Sequence, residues 1–514
     1  MAALITDDFR LFNADNFIQS VTDPTNSYYI FIGLPNPVGT EYGRTTDWNT
    51  NPPSPTDNFS YIRHTYDTMM YGRRITPGNV RRVIRRIDWV KGTRYEQYRD
   101  DYSVSNPAPN TGSTRLYDAN YFVMNSEYKV YICLSNGSTG NNPKGNGSED
   151  EPTFVDTEPT AAGSSGDGYI WKYLFSVSPA DVIKFDSTDY ITVPNDWGTT
   201  DESQIVAIRE SGDSDINDSQ LKQIYIDDPG VGYGGGVGQE LPIIGDGSGA
   251  RAIIDVNSGR ITKAVVAKGG KGYSWGVVDL GTINGSASSA AKLDVIIPPS
   301  KGHGFDIYEE LGTDRVLVYA RFDDSTQDFP TDTKFAQIGL IRNPTTKDST
   351  QVFTQNSFTA AASLKILSAS GDVEVGSVIR QTTNDGEAKG YVVSYNEETQ
   401  VLKYIQDRSL YYNPQTDDNT DYTGISTSAQ KVPFESSANP IRTSDGFLAT
   451  VDTSFNGSTE TIANKSVELG VEFTNGLAAS EINSQSGEIL YLDNRPQVTR
   501  NPRQKEDVKI ILEF

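Results

Sequence analysis

Short runs of alternating apolar and polar positions, separated by Gly, Asn, Pro and Asp, dominate this chain. Toward its end Val508, Ile510 and Leu512 alternate with Lys509, Ile511 and Glu513, while Ile489, Tyr491 and Asp493 lead into Asn494-Arg495-Pro496. The period of two predicts strands, with a turn at Asn494-Arg495-Pro496, and the closing strand is expected to dock into a sheet. Tyr128-Lys129-Val130-Tyr131-Ile132-Cys133-Leu134 shows another strand pattern. Residues 136–166 are rich in Gly, Asn, Ser and acids with few apolar positions to bury, and read as a mobile surface loop.

Residues 224–297 contain an internal repeat with a period of forty. Ile224-Tyr225-Ile226-Asp227-Asp228-Pro229-Gly230-Val231-Gly232-Tyr233 aligns with Ala264-Val265-Val266-Ala267-Lys268-Gly269-Gly270-Lys271-Gly272-Tyr273. Each copy continues through a small-residue turn, 245–249 or 285–289, into a strand at 252–256 or 293–297. Duplicated β-units need each other to bury a face, so the repeat predicts a small inserted β domain. A second strand-rich unit lies between 347 and 432, with Val375–Arg380, Gly390–Tyr395 and Val401–Ile405 as strands and turns at 384–386 and 396–399.

One stretch has a different period. Val80, Val83, Ile84 and Ile87 fall at helical spacing after a Thr76-Pro77 start, predicting a short amphipathic helix with arginines on its exposed flanks. Residues 73–99 hold nine basic side chains (Arg73, Arg74, Arg81, Arg82, Arg85, Arg86, Lys91, Arg94, Arg99) against Asp88 and Glu96. That excess, within a chain of net charge −24, makes an interface with an acidic protein surface a candidate beside a merely solvated face.

Composition narrows the classes. A chain of 514 residues exceeds one ordinary core and predicts two to four domains. Its 46 glycines, 25 prolines and 28 tyrosines favour many turns joining short strands. The charge argues against nucleic-acid binding, which needs clustered cations. No apolar run approaches the roughly 18 residues that span a bilayer, and MAALITDDFR has neither a basic n-region nor an apolar h-region. Neither a nucleic acid nor a membrane is expected as a partner. Cys133, the single cysteine, excludes an intramolecular disulfide and reads as a buried, inert thiol.

Catalytic and metal motifs are weak. Gly230-Val231-Gly232-Tyr233-Gly234-Gly235 satisfies G-x-G-x-x-G, but it leads into Leu241-Pro242-Ile243-Ile244, which is strand-like where a dinucleotide site requires a helix. Asp417-Asp418-Asn419-Thr420-Asp421 begins like a calcium loop, yet Tyr422 stands where the turn needs glycine and Ser428 where a bidentate Glu belongs. Two histidines, His64 and His303, give little material for a metal site or an acyl-transfer triad. Carboxylates are numerous enough that a glycosidase pair could arise anywhere, so their presence carries no weight. No cofactor and no enzymatic activity are expected.

Several segments together resemble a known family. Gly166-Asp167-Gly168-Tyr169-Ile170-Trp171-Lys172-Tyr173-Leu174-Phe175 is similar to a family segment GDGY-V-WEYLF, and Tyr190-Ile191-Thr192-Val193-Pro194 comes at a similar distance after it. The N-terminal region matches in Phe9-Arg10 before a short helix, Phe31-Ile32-Gly33 as a strand, 53–57 as a turn, Met69-Met70, Asp88-Trp89 and Thr93-Arg94-Tyr95. Phe335-Ala336-Gln337-Ile338-Gly339-Leu340-Ile341-Arg342-Asn343-Pro344 and the Asn494-Arg495-Pro496 run before the closing strand match further on. The chain thereby resembles the gene-eight family of baseplate wedge subunits from T-even-like contractile-tailed phages. The resemblance covers residues 1–205, about 295–345 and about 475–514.

The resemblance implies a non-enzymatic structural subunit of the virion's tail baseplate, assembled in the host cytoplasm. It implies a homodimer placed beside the products of genes seven and ten and required before the gene-six product joins. The expected fold is α+β, predominantly antiparallel β, multidomain, with short helices and inserted β modules. A family-like core would comprise 1–205, 295–346 and 436–514; 206–294 would be an inserted β domain and 347–435 a second β module. Two other classes stay open. A carbohydrate-binding tail module would present a tyrosine or Trp275 to sugar faces, and a tail-associated glycosidase would frame two carboxylates in a cleft.

Overall fold

The computed structural model describes residues 4–33, 52, 54–283, 287–323, 333–411, 431–499 and 504–514. It is mostly antiparallel β, 41% strand against 14% helix, as the alternation predicts. Two compact units make up the chain and both are discontinuous: unit one takes residues 1–16, 81–317 and 511–514, unit two residues 17–80 and 318–510. The acidic run 417–421, Pro53 and Ser286 lie outside the described residues.

Unit one is built on the antiparallel sheet Phe122–Met124, Lys129–Asn136, Tyr169–Ser176. Its core is aromatic: Tyr121, Tyr131, Tyr169, Trp171 and Trp197 are all at most 1% exposed. Tyr169 stacks on Trp171 at 5.2 Å between ring centres, and Tyr95 meets Trp171 edge-on at 5.9 Å. Such buried rings supply large apolar area with defined geometry. Cys133 is fully buried here, and burial pushes its thiol well above the ordinary value.

Residues 136–166 do not project as a mobile loop. Ser148 accepts a hydrogen bond from the Trp89 indole at 3.0 Å, Tyr131 donates to the Phe154 carbonyl at 2.6 Å, and Thr160 bridges to Trp171. The polar composition serves these local bonds, so the segment wraps the aromatic core without regular structure.

Also in unit one, the repeat forms six strands: Gln223–Asp228, Gln239–Gly245, Arg251–Asn257, Arg260–Lys268, Gly276–Val278 and Lys292–Ile296. They make a four-stranded sheet and a two-stranded sheet around one core that includes Leu241, Ala252, Ile254, Ile261 and Val278. The first strand of each copy pairs with the last strand of the other: Ile226 faces Leu293 and Val266 faces Ala252. Hence neither copy completes a sheet by itself.

The repeated glycines and tyrosines hold this exchange. Gly230 and Gly270 both have φ +62. A Cβ on Gly230 would sit 2.7 Å from Ala291 N, and one on Gly270 would sit 2.6 Å from Ala250 N. The Tyr233 hydroxyl accepts from Ala291 N at 2.8 Å, and that of Tyr273 accepts from Ala250 N at 3.2 Å while donating to the Ile243 carbonyl at 3.1 Å. The G-x-G-x-x-G match is therefore a strand-linking clasp.

Unit two carries a five-stranded antiparallel sheet in the order Ser357–Thr359, Met69–Ile75, Tyr28–Gly33, Lys334–Arg342, Glu488–Thr499. Tyr29 packs on Phe358 at 5.1 Å, and Gly339 leaves the space that the Phe31 ring fills. Asn494-Arg495-Pro496 is not a turn. The strand runs through it with a shifted register, Gln337 facing Asn494 and Phe335 facing Val498. Proline is tolerated there because this is the sheet's edge strand, where no neighbour needs its missing N–H.

The same unit holds a closed barrel of Ala362–Ser370, Val401–Ile405, Gly386–Asn396, Val378–Thr383, Ile441–Arg442 and Leu448–Val451, each strand hydrogen-bonded to the next and the last to the first. The hairpin turns at 384–385 and 397–400 fall where the sequence places them. Finally, Glu506–Glu513 docks beside Arg315–Phe322. Val508 and Ile510 are buried, and Asp507 accepts from Tyr319 at 2.8 Å and from Arg321 at 2.6 and 2.9 Å.

Candidate interaction site

The arginine segment is a strand, Val80–Arg85, preceded by a single 3-10 turn, Pro77–Asn79. Helical spacing at Val80, Val83, Ile84 and Ile87 misleads because both faces of this strand are covered, which erases the period of two. β-Branched Val and Ile suit the extended backbone, and residues 82–85 pair antiparallel with Tyr190–Val193.

Its cations are engaged inside the chain. Arg81 meets Asp181 at 3.0 Å and lies over the Phe185 ring; buried Arg82 pairs with Asp15, its guanidinium 4.2 Å from the Tyr308 ring centre. Arg85 donates to the carbonyls of Tyr117 and Ala119 at 3.1 and 3.0 Å, and burial draws it below its ordinary pKa. Arg86 binds Asp88 at 3.0 Å and Asp186 at 3.3 Å. In unit two, Arg73 and Arg74 sit half-buried on Met69–Ile75, Arg74 donating to the Thr354 carbonyl. Arg94 is exposed.

The motif residues are likewise structural. Gly166 and Gly168 take φ of +71 and +89. Between them Asp167 accepts from Tyr169 N at 2.9 Å and Glu149 N at 2.8 Å, aiming Tyr169 and Trp171 into the aromatic core. Trp89 packs partly buried against that core. In unit two, Asn494 accepts from Gln337 at 2.9 Å and donates to the Tyr61 hydroxyl, Arg495 pairs with Asp493 at 2.6 Å, and Pro496 is exposed.

Two features had no sequence signal, because distant segments build them. The first is a cleft of about 870 Å³ in unit one, lined by Gln97, Thr157, Glu210, Ser211, Tyr225 and Ala264 among others. Its acids are partly spent: Glu158 binds Lys222 at 2.7 Å and Asp218 binds Lys268 at 3.0 Å. The second is a buried polar cluster. His303 Nδ1 lies 2.7 Å from Glu310, Tyr98 stacks edge-on to His303 at 4.7 Å, and Lys172 donates to the Thr157 carbonyl at 2.6 Å and Ser211 at 3.1 Å. Burial pulls Lys172 down to about 8, against a weaker opposing pull from Glu310.

Among the described residues no group of three or more His, Cys, Asp or Glu side chains could hold a metal ion, and no helix is long and apolar enough to cross a membrane.

Comparison with known proteins points to the same kind of molecule: the chain is similar to a phage tail baseplate protein. One relative is baseplate wedge protein gp8 of Enterobacteria phage T4, 29% identical in an alignment 220 residues long that covers 37% of this chain and 60% of the relative. The chain thus spans three fifths of that protein's length. No family model matches the chain.

Proposed function

We propose that this chain is a structural subunit of a phage tail baseplate wedge, acting through protein–protein contacts. The observation that supports this most is the similarity to baseplate wedge protein gp8. The fold is consistent with it: Tyr169 and Trp171 lie in an aromatic core with Trp89 packed against it, and Lys172, His303 and Glu310 are buried. The finer reading is a homodimer contacting the counterparts of the products of genes six, seven and ten, with 1–205, 295–346 and 436–514 as the shared core and 206–294 and 347–435 as additions. Of the seven arginines first considered for an interface, Arg94 and Arg73 remain the candidates, since Arg74, Arg81, Arg82, Arg85 and Arg86 serve internal bonds.

Antibody labelling of purified virions tests the location. Label at the tail tip in electron micrographs is the expected result, and absence of the chain from virions would overturn it. Sedimentation of the purified chain tests the dimer, a 56.3 kDa species counting against it.

A further inference from the structure

The strands of the duplicated region do not close into a ring. Gln223–Asp228 ends one sheet and Arg260–Lys268 ends the other, so each has one edge that pairs with no strand. The two edges are joined at their ends, where the Leu221 N–H donates to the Gly269 carbonyl at 3.2 Å and the Ile261 N–H to the Pro229 carbonyl at 3.0 Å. Between those joints, residues 223–228 and 262–268 share no backbone hydrogen bond among the described residues. The first edge is capped beyond Tyr225, because the Gly140 N–H donates to the Ile226 carbonyl at 3.0 Å. The remainder is an open seam.

The cleft of about 870 Å³ follows this seam, and its wall takes residues 221–225 and 264–269 without a gap. Successive side chains of a strand point to opposite faces. An opening against one face would therefore be lined by alternate residues, whereas an opening along an edge is lined by all of them. Unpaired N–H and C=O groups on such an edge are a template for one more strand. Two buried carboxamides share the wall. Gln223, 7% exposed, has no hydrogen-bond partner at either amide atom among the described residues. Gln97, 5% exposed, accepts from Ser138 at 3.0 Å, while its nitrogen donates to no described residue. A buried amide left unpaired opposes folding, so two of them beside an open edge point to a ligand that pairs them.

We propose that the seam binds an extended peptide segment of a partner protein, which lies along 264–268 as an added strand and is held from its other side by the Gln97 and Gln223 carboxamides. The chemistry of the wall favours that occupant. An added strand carries two rows of backbone groups, and the edge satisfies one row. A carboxamide, with donor and acceptor side by side, matches the N–H and C=O that an extended residue presents together in the other row. The Gln223 amide atoms lie sealed in the wall, so the entering chain meets them after a turn about the side-chain bonds. Lys222 and Lys268, the cations of the wall, are paired with Glu158 and Asp218, which leaves none for an anionic ligand. Tyr225 is the only aromatic residue among those lining the cleft, and the Arg99 guanidinium lies 4.5 Å from its ring centre, so no free ring face is offered to a sugar. The inference stands apart from the baseplate reading: absence of the chain from virions would leave it untouched.

Selection of random displayed heptapeptides on the immobilised full-length chain tests it. Enriched peptides are expected to slow amide hydrogen exchange at 264–268 by about tenfold or more; a selection that yields none with this effect overturns the proposal. N-methylation of alternate backbone nitrogens in an enriched peptide removes hydrogen bonds and leaves its side chains alone. At least one of the two alternate sets should weaken binding by about tenfold, and unchanged affinity in both overturns the strand arrangement and the proposal with it. Gln223→Met keeps the side-chain length and removes the amide. It should melt no lower than the wild type, because the amide is unpaired in the free chain, and bind the enriched peptides about tenfold more weakly. A lower melting temperature would show that the amide serves the fold, and unchanged affinity that it does not reach the peptide; either overturns the proposal. Slowed exchange at 264–268 with a panel of neutral oligosaccharides, and with no peptide, would give the seam to a sugar and overturn it too.

Discussion

The six strands between 223 and 296 and the six between 362 and 451 each surround one apolar core, yet only the second set closes through an unbroken ring of hydrogen-bonded neighbours. In the closed barrel Leu364, Ile379, Val392, Leu402 and Ile441 are fully buried, and stability rests on that core and the continuous ladder. The duplicated region comprises two sheets, and its copies are locked by exchanged strands and by the Gly-x-Gly-Tyr clasps. Closure removes edges by hydrogen bonding. Duplication instead makes each half incomplete without the other. The second route concentrates stability in a few backbone positions.

The sharpest way to break this contrast is at a clasp. Gly270→Val adds a β-branched side chain at φ +62, with its Cβ 2.6 Å from both Ala250 N and Ser248 O. The expected loss is about 4 kcal/mol or more, combining backbone strain with a backbone clash. Urea denaturation should show it, and hydrogen exchange of the 378–405 ladder should stay unchanged. Stability within about 1 kcal/mol of wild type would mean the clasps are ornamental.

In the closed barrel the matching change is to the core. Leu402→Ala removes a fully buried side chain and should cost about 3 kcal/mol, the middle of the range for such cavities. Hydrogen exchange should then accelerate at 386–405 and leave 251–268 protected, the reverse of the first variant.

A pH titration sharpens the comparison, because unit one buries Lys172 on neutral partners, whereas Lys365 of unit two has Glu460 at 2.8 Å. The folded state holds Lys172 at about 8 against an ordinary 10.5. Below pH 8 the lysine is charged in both states, and the fold bears the whole cost of burying that charge. Between about 8 and 10.5 the unfolded chain keeps the proton that the folded chain has lost, so stability rises with pH, by at most about 1.4 kcal/mol per unit. Denaturation at pH 8 and 9.5 checks this below the range where exposed tyrosines ionise. Lys172→Met should abolish the rise and be more stable at pH 7; an unchanged slope would assign the effect elsewhere.

The smallest effect separates the two clasps. Tyr273 is buried and its hydroxyl serves two backbone groups, whereas Tyr233 is partly exposed and serves one. Tyr273→Phe should cost about 1–2 kcal/mol and Tyr233→Phe about 0.5–1 kcal/mol. The opposite order in thermal melts would show that the pseudo-equivalent positions are not used as their geometry indicates.

Period-two alternation, turn residues and the forty-residue repeat act within a few residues or by plain copying, so the β character, the hairpin turns after Thr383 and Asn396, the docked closing strand and the duplication were all legible in the amino-acid sequence. Tertiary structure decided the rest. Val80–Arg85 reads as helix because burial on both faces hides its strand period, and its arginines read as a patch because Asp15, Asp181 and the Tyr117 carbonyl are distant along the chain. Asn494-Arg495-Pro496 reads as a turn although a neighbouring strand keeps it extended. That the repeat closes its strand exchange depends on Gln223–Asp228 meeting Lys292–Ile296, residues some sixty to seventy apart. A local pattern specifies which face of a strand is apolar; only the packed structure specifies what that face meets.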